Sequence, residues 1–241
     1  MVKIIDSYNA LPLGAYLDIL DINSDECLDD LGRQTAILAV LTGLNEKDVL
    51  LLPLDEYASL AAHMEFLSHD VPQPRRSIGK ILSIGKNKYR IPQNPAKITT
   101  AQFVDFRSWA ESWKDGKRPV PEILSTMIVP EGKTYGDDYE VEDVQADIRE
   151  NLDTVTAFAL CAFFLDSWRR YIMDSLSFSE KALKRIENNP KAKAKLKELQ
   201  TMTELLTSLQ ESGRGSIMYA LLRQPPILRG TTSGIWDASN S

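Results

Sequence analysis

The sequence predicts a mainly α-helical protein: a multi-helix domain with a small β-hairpin insertion and an extended C-terminal tail. Three observations carry this expectation. The stretch Asn151 to Phe178, NLDTVTAFALCAFFLDSWRRYIMDSLSF, holds an uncharged run from Thr154 to Leu165 that is the most apolar part of the chain. Apolar residues on both sides of it recur mostly at helical spacing, and the period drops to two only around Gly85. The last thirty residues, by contrast, are too sparse in apolar side chains to build a core of their own.

Taken in order, Pro12 followed by Leu13, Tyr16, Leu17 and Leu20 reads as a short amphipathic helix opened by its proline. Ser24, with Asp25 and Glu26 beside it, is the expected N-cap of a second helix running through LGRQTAILAVLT to Gly43. The apolar face of that helix is expected at Leu31, Ile37, Leu38 and Leu41. Asp21, Asn23 and Asp25 alternate like the start of a calcium loop, but the sixth position holds Glu26 instead of glycine and the twelfth holds Gly32 instead of glutamate. A helix cap is the better reading there.

Asn45 caps NEKDVLLL, which Pro53 interrupts, and LDEYASLAAHMEFLS follows with Tyr57, Leu60, Ala61, Met64 and Leu67 on one face. VPQPRR, from Val71 to Arg76, is a turn-rich linker. Ile78, Leu82 and Ile84 then alternate, Gly85-Lys86-Asn87 turns the chain, and Tyr89 and Ile91 alternate again, which predicts a hairpin ended by Pro92 and Pro95.

Thr99 and Gln102 have the spacing of a capping box at the head of a helix bearing Phe103, Phe106, Trp109, Ala110 and Trp113, a stripe that reads as core packing. Pro119 and Pro121 frame the start of PEILSTMIV, expected to stay helical until Pro130. After the polar loop GKTYGDD, a helix with Val141, Val144 and Ile148 leads through Asn151 and Asp153 into the apolar run. That run holds about a dozen residues before Asp166, short of the roughly twenty a bilayer needs, so a core helix and no membrane association are expected. The expected hub of the fold is this helix, with the hairpin, the aromatic helix and the N-terminal helices packed on it.

These elements divide the chain into a helical N-terminal unit (1–70), a hairpin plus helical core (71–178), a charged helical segment (179–212) and an extended C-terminal arm (213–241). The span from Lys181 to Leu199 carries seven basic residues against Glu187 and Glu198, and Leu196, Leu199, Met202, Leu205, Leu206 and Leu209 give it a helical seam. Its two readings are a solvated face and a segment that docks on an acidic surface, for which the acid-rich N-terminal segment of an adjacent copy is suitable. Residues expected to meet a partner are Lys191, Lys193 and Lys195 here, with Arg223, Ile227, Leu228, Ile235 and Trp236 on the arm.

Chemistry is harder to find. The formal net charge of −6 argues against neutralising phosphates in bulk and leaves only a local patch for nucleic acid. Cys27 and Cys161 are too few for a disulfide framework and read as free thiols suited to a reducing compartment. The N-terminal residues, with Asp6 and Asp18, lack the pattern of a secretory signal. His63 and His69 are the only histidines, and no spacing of His, Cys or acids approaches a zinc site.

No GxSxG elbow frames a serine, and Ser77-Ile-Gly-Lys80 lacks the companion motifs that would give S-x-x-K a meaning. Gly213-Arg-Gly-Ser216 lacks the Lys-Ser/Thr of a phosphate loop. Asp29-Asp30 and Asp137-Asp138 are adjacent acids of a solvated kind. No catalytic residue, cofactor or metal ligand is therefore assigned, and no enzyme is expected.

The helix LGRQTAILAVLTGLNEKDVLLLPLDEYASLAAHMEFL, the hairpin IGKNKYRIP and the capped helix ITTAQFVDF are followed by VPEGKTYGDDYEVEDVQADIRENL and the core FALCAFFLDSW. In this order, from Leu31 to Trp168, the chain resembles structural and assembly proteins of tailed phages infecting Bacteroidales, crAss-like phages among them. The resemblance lies in apolar positions and turns. It implies a virion protein assembled in the host cytoplasm: a ring component of the portal or head-to-tail connector, forming a homo-oligomeric ring near passing DNA and contacting portal or tail proteins. It is also compatible with a tail-assembly-chaperone-like protein absent from the finished particle. A third reading, from the residues alone, is a nucleic-acid-binding module using segment 181–199.

Overall fold

The computed structural model describes residues 2–72, 78–112, 118–136 and 138–183. Among these are eight α-helices: α1 (Leu13–Ser24), α2 (Asp30–Thr42), α3 (Glu46–Leu50), α4 (Leu54–Ala62), α5 (Thr100–Ser112), α6 (Val120–Met127), α7 (Val141–Asn151) and α8 (Thr154–Leu183). Short 3-10 turns occupy His63–Ser68 and Pro95–Lys97. Strands β1 (Ile81–Ile84), β2 (Asn87–Arg90) and β3 (Val129–Pro130) form one antiparallel sheet in that order. The protein is mainly α with a small sheet, as its periodicities predict.

The fold is knotted together where α1 and α8 begin. Pro12 and Asp153 lie across an antiparallel bridge. The Leu13 amide donates to the Leu152 carbonyl at 2.8 Å, and the Thr154 amide donates to the Leu11 carbonyl at 2.9 Å. The Thr154 hydroxyl donates to that same carbonyl at 2.8 Å, which satisfies a buried polar side chain. Asp153 then caps α8 by accepting from the Thr156 amide at 2.8 Å. Gly14, one residue into α1, lets this helix approach the end of α7: a Cβ there would stand 2.8 Å from the Arg149 carbonyl oxygen.

The core runs from Tyr8 to Trp168 and draws on every helix from α1 to α8. Aromatic rings link its parts edge to face. Phe66 meets Tyr8 at 5.0 Å, Tyr8 meets Tyr16 at 6.1 Å, and Tyr16 meets Phe158 on α8 at 5.5 Å. Further along α8, Trp168 stacks on Phe106 at 5.7 Å and tilts against Phe103 at 5.5 Å. The aromatic stripe of α5 is thus core packing at Phe103 and Phe106. Trp113, and the side chain of Ala110, fall outside the described residues.

The capping box is formed as expected: the Gln102 amide donates to Thr99 Oγ1 at 3.2 Å, and the Thr99 amide to Gln102 Oε1 at 3.0 Å. Gln102 also donates from Nε2 to the Thr126 carbonyl at 2.9 Å, tying α5 to α6. Asn45 caps α3, accepting from the Asp48 amide at 3.1 Å.

Several expectations are corrected. Ser24 does not cap α2. It is the last residue of α1, and its hydroxyl donates back to the Leu20 carbonyl at 2.8 Å. Asp29 is the cap instead, accepting from the Gly32 amide at 2.7 Å. Arg33 makes this possible by donating to the carbonyls of Asp25 and Leu28, which holds the intervening loop as a loop. Asp21 and Asn23 consequently lie on a helix, where residues two apart do not face each other. Leu31 is not on the apolar face of α2, which is made by Thr35, Ala36, Ile37, Leu38 and Leu41; it keeps 58% of its surface exposed.

The helix after Pro119 ends at Met127, and Val129 and Pro130 form a third strand opposite Arg90 and Tyr89. A proline suits this edge position because β3 needs no donor on its open side. Finally, the hairpin docks on α7. Asp147 of α7 accepts from the Tyr89 hydroxyl, from Asn87 Nδ2 at 3.0 Å and from Asn151 Nδ2 at 2.8 Å. Gly85 supplies the tight turn with φ +54°, and a Cβ there would crowd Asn151 and Asp147.

Candidate functional site

The described residue positions that stand out for exposure are apolar. Helix α3 is short and fixed at both ends, by the Asn45 cap and by fully buried Val49. Burying Val49 turns Leu50 outward, and the chain leaves α3 through Leu51, Leu52 and Pro53 into α4. Leu52 packs back on the core, while Leu50, Leu51 and Leu54 retain 61%, 81% and 80% exposure.

Helix α4 is held in turn. The Tyr57 hydroxyl donates to Gln34 Oε1 at 3.2 Å and lies 3.4 Å from Thr35 Oγ1, and Leu60 is buried. Three leucines within five positions therefore form a ridge on a fixed support. Their rim is acidic: Glu46, Asp48, Asp55 and Glu56 flank the ridge in sequence, against Lys47 alone.

Two charged pairs elsewhere hold α1 to distant parts of the chain. Arg149 of α7 reaches Asp18 of α1 at 3.1 Å, and Arg118 reaches Asp21 at 2.6 Å and Ser24 Oγ at 3.1 Å. Such surface pairs contribute up to about 1 kcal/mol each. They orient α1 more than they stabilise it.

Shifted titrations have a bland cause. Burial pushes the Cys161 thiol up to about 12, so it resists forming the thiolate that reactivity requires. Burial first, and the Asp70 charge second, push Tyr8 up to about 12, and burial does the same for Tyr139. Tyr89 and Tyr135 are raised as well, by burial and then by their hydrogen bonds to Asp147 and Asp105. Each of these shifts keeps the neutral form. Cys27 is exposed and free.

No three His, Cys, Asp or Glu side chains among the described residues gather as a metal site. His63 is exposed, and His69 contributes its backbone carbonyl to the Tyr8 hydroxyl at 2.9 Å. No helix of the described residues is long and apolar enough to cross a membrane.

Lys191, Lys193, Lys195, Arg223, Ile227, Leu228, Ile235 and Trp236 all lie outside the described residues, as do Ser77 and Gly213 to Ser216. The leucine ridge was missed by sequence reasoning because leucines are assigned to a core by default. Its signal was available: Leu50, Leu51 and Leu54 surround a proline inside an acidic stretch, and one short helix cannot bury all of them. Compared with known protein families, with curated proteins and with solved structures, the chain matches none of them.

Proposed function

We propose that this chain is a structural subunit of a tailed-phage virion, a ring component of the portal or head-to-tail connector built by subunit–subunit contacts. The observation that supports this reading is the ridge of Leu50, Leu51 and Leu54, exposed on helices that are otherwise well anchored. Apolar side chains clustered at the surface lower the free energy of association more than that of folding. Burial keeps the Cys161 thiol and the Tyr8 hydroxyl in their neutral forms. Portal and tail proteins are then its neighbours, the virion its place, and DNA passes near it without base-specific contact.

The test is mass spectrometry of purified particles joined to imaging of the connector. The expected result is this chain in the particle at a ring-like copy number. Its presence in infected cells but absence from particles overturns the ring and leaves the tail-assembly-chaperone role. Salt-sensitive duplex binding, lost on neutralising Lys191, Lys193 and Lys195, would instead favour the nucleic-acid module.

A further inference from the structure

We propose that the Leu50–Leu51–Leu54 ridge receives the basic, leucine-bearing segment 184–209 of a second copy of this chain, so that subunits join head to tail. The two surfaces are complementary in both respects that decide such a contact. The ridge offers three exposed leucines with Glu46, Asp48, Asp55 and Glu56 beside them in sequence. The segment offers Lys184, Arg185, Lys191, Lys193, Lys195 and Lys197 against three acids, with a leucine seam at Leu196, Leu199, Leu205, Leu206 and Leu209. Leucine on leucine supplies the burial, and lysine on carboxylate sets the partner and speeds encounter.

The described chain runs well past its last described buried side chain, which suits docking on a second copy. Helix α8 spans 30 residues, and the last of its described side chains to be buried is Trp168. Leu183 is about 22 Å further along the helix axis at 1.5 Å per residue. The basic segment is therefore handed on at the end of a long helix, whereas the ridge belongs to α3 and α4. Two unlike surfaces of one chain make a heterologous contact, which propagates into a ring or a filament according to its rotation. The proposal takes the ring reading one step further, by naming its contact.

The test uses the full chain and two variants. One carries Leu50→Ser, Leu51→Ser and Leu54→Ser. The other carries Lys191→Glu, Lys193→Glu and Lys195→Glu. Sedimentation at tens of micromolar should give species larger than a dimer for the native chain, and salt should reduce them. Each variant should associate about a hundredfold more weakly, which is about 2.7 kcal/mol, with the melting temperature of the ridge variant unchanged.

Mixed one to one, the variants should form a dimer and nothing larger, since each retains the half the other lost. A monomeric native chain, a ridge variant that assembles like the native chain, or a mixture that stays monomeric overturns the contact. The outcome is separable from that of the ring reading. A contact that passes this test in a chain missing from particles sinks only the ring. A chain present in particles whose ridge variant still assembles sinks only the contact.

Discussion

Leucine is treated in opposite ways at two places in this chain. Between Leu11 and Leu20 the leucines are withdrawn from water to 5% exposure or less, and the backbone beside them is bonded to Leu152 and Thr154 on the far side of the fold. Between Leu50 and Leu54 the same residue stands out at 61 to 81% exposure at three positions of four. Local sequence does not explain the difference, since both stretches contain a proline at a helix start. Partners do. The first stretch meets α2, α7 and α8, whereas the second meets α2 and buries Val49 and Leu60 while leaving three leucines outside. Leucine in the first place belongs to folding; in the second, on the contact proposed above, it belongs to association.

The sharpest way to break this comparison is to damage the folding side where packing is densest. Trp168→Ala removes the ring that stacks on Phe106 and leans on Phe103 and Tyr171, and so disconnects α5 from α8. The expected loss is about 3–5 kcal/mol, read as a lowered urea midpoint at unchanged slope. A loss below about 1 kcal/mol would mean the aromatic group is peripheral. Gly14→Ala comes next. Its Cβ meets backbone, not a flexible side chain, 2.8 Å from the Arg149 oxygen, so α1 and α7 must separate. About 1–3 kcal/mol is expected, and stability gained through helix propensity would disprove the close approach.

A smaller effect tests the polar side of the same fold. Tyr89→Phe deletes one donor to Asp147, while Asn87 and Asn151 still serve that carboxylate. The loss should be about 1 kcal/mol, and hydrogen exchange should quicken in β1 and β2 before it does in α1. Equal quickening everywhere would show that the hairpin and the helices open as one unit.

Much of this fold was legible because local chemistry decided it. The Asn45 cap, the Thr99–Gln102 box, the turn at Gly85 and the boundary at Asp153 are all set by residues within four positions of each other. The misreadings share a cause as well. Ser24 lost the cap of α2 to Asp29 because Arg33 reaches back five and eight residues to hold the loop. Val129 and Pro130 became a strand because β2, forty residues earlier in the chain, offered them an edge. The hairpin sits on α7 because Asp147, polar and unremarkable in sequence, collects donors from Tyr89, Asn87 and Asn151. The ridge was passed over for the complementary reason: its crowding of leucines about a proline is visible in sequence, but whether the fold has room for each of them depends on neighbours far along the chain.

The smallest expected effect on stability is the most informative about the second region. Leu51→Ser alters the most exposed of the large apolar side chains among the described residues, at 81%, so little burial is lost on folding. Its backbone amide contacts to Lys47 and Asp48 at 3.2 Å do not depend on the side chain. The melting temperature should therefore correspond to a change within about 0.5 kcal/mol, while sedimentation at high concentration shifts towards the monomer. A clear loss of stability in the isolated monomer would place Leu51 in the core, and the contrast between the two leucine-rich stretches would dissolve. Unchanged stability with weakened association keeps the contrast and gives it a function: the protein leaves water on those leucines because a partner removes it later.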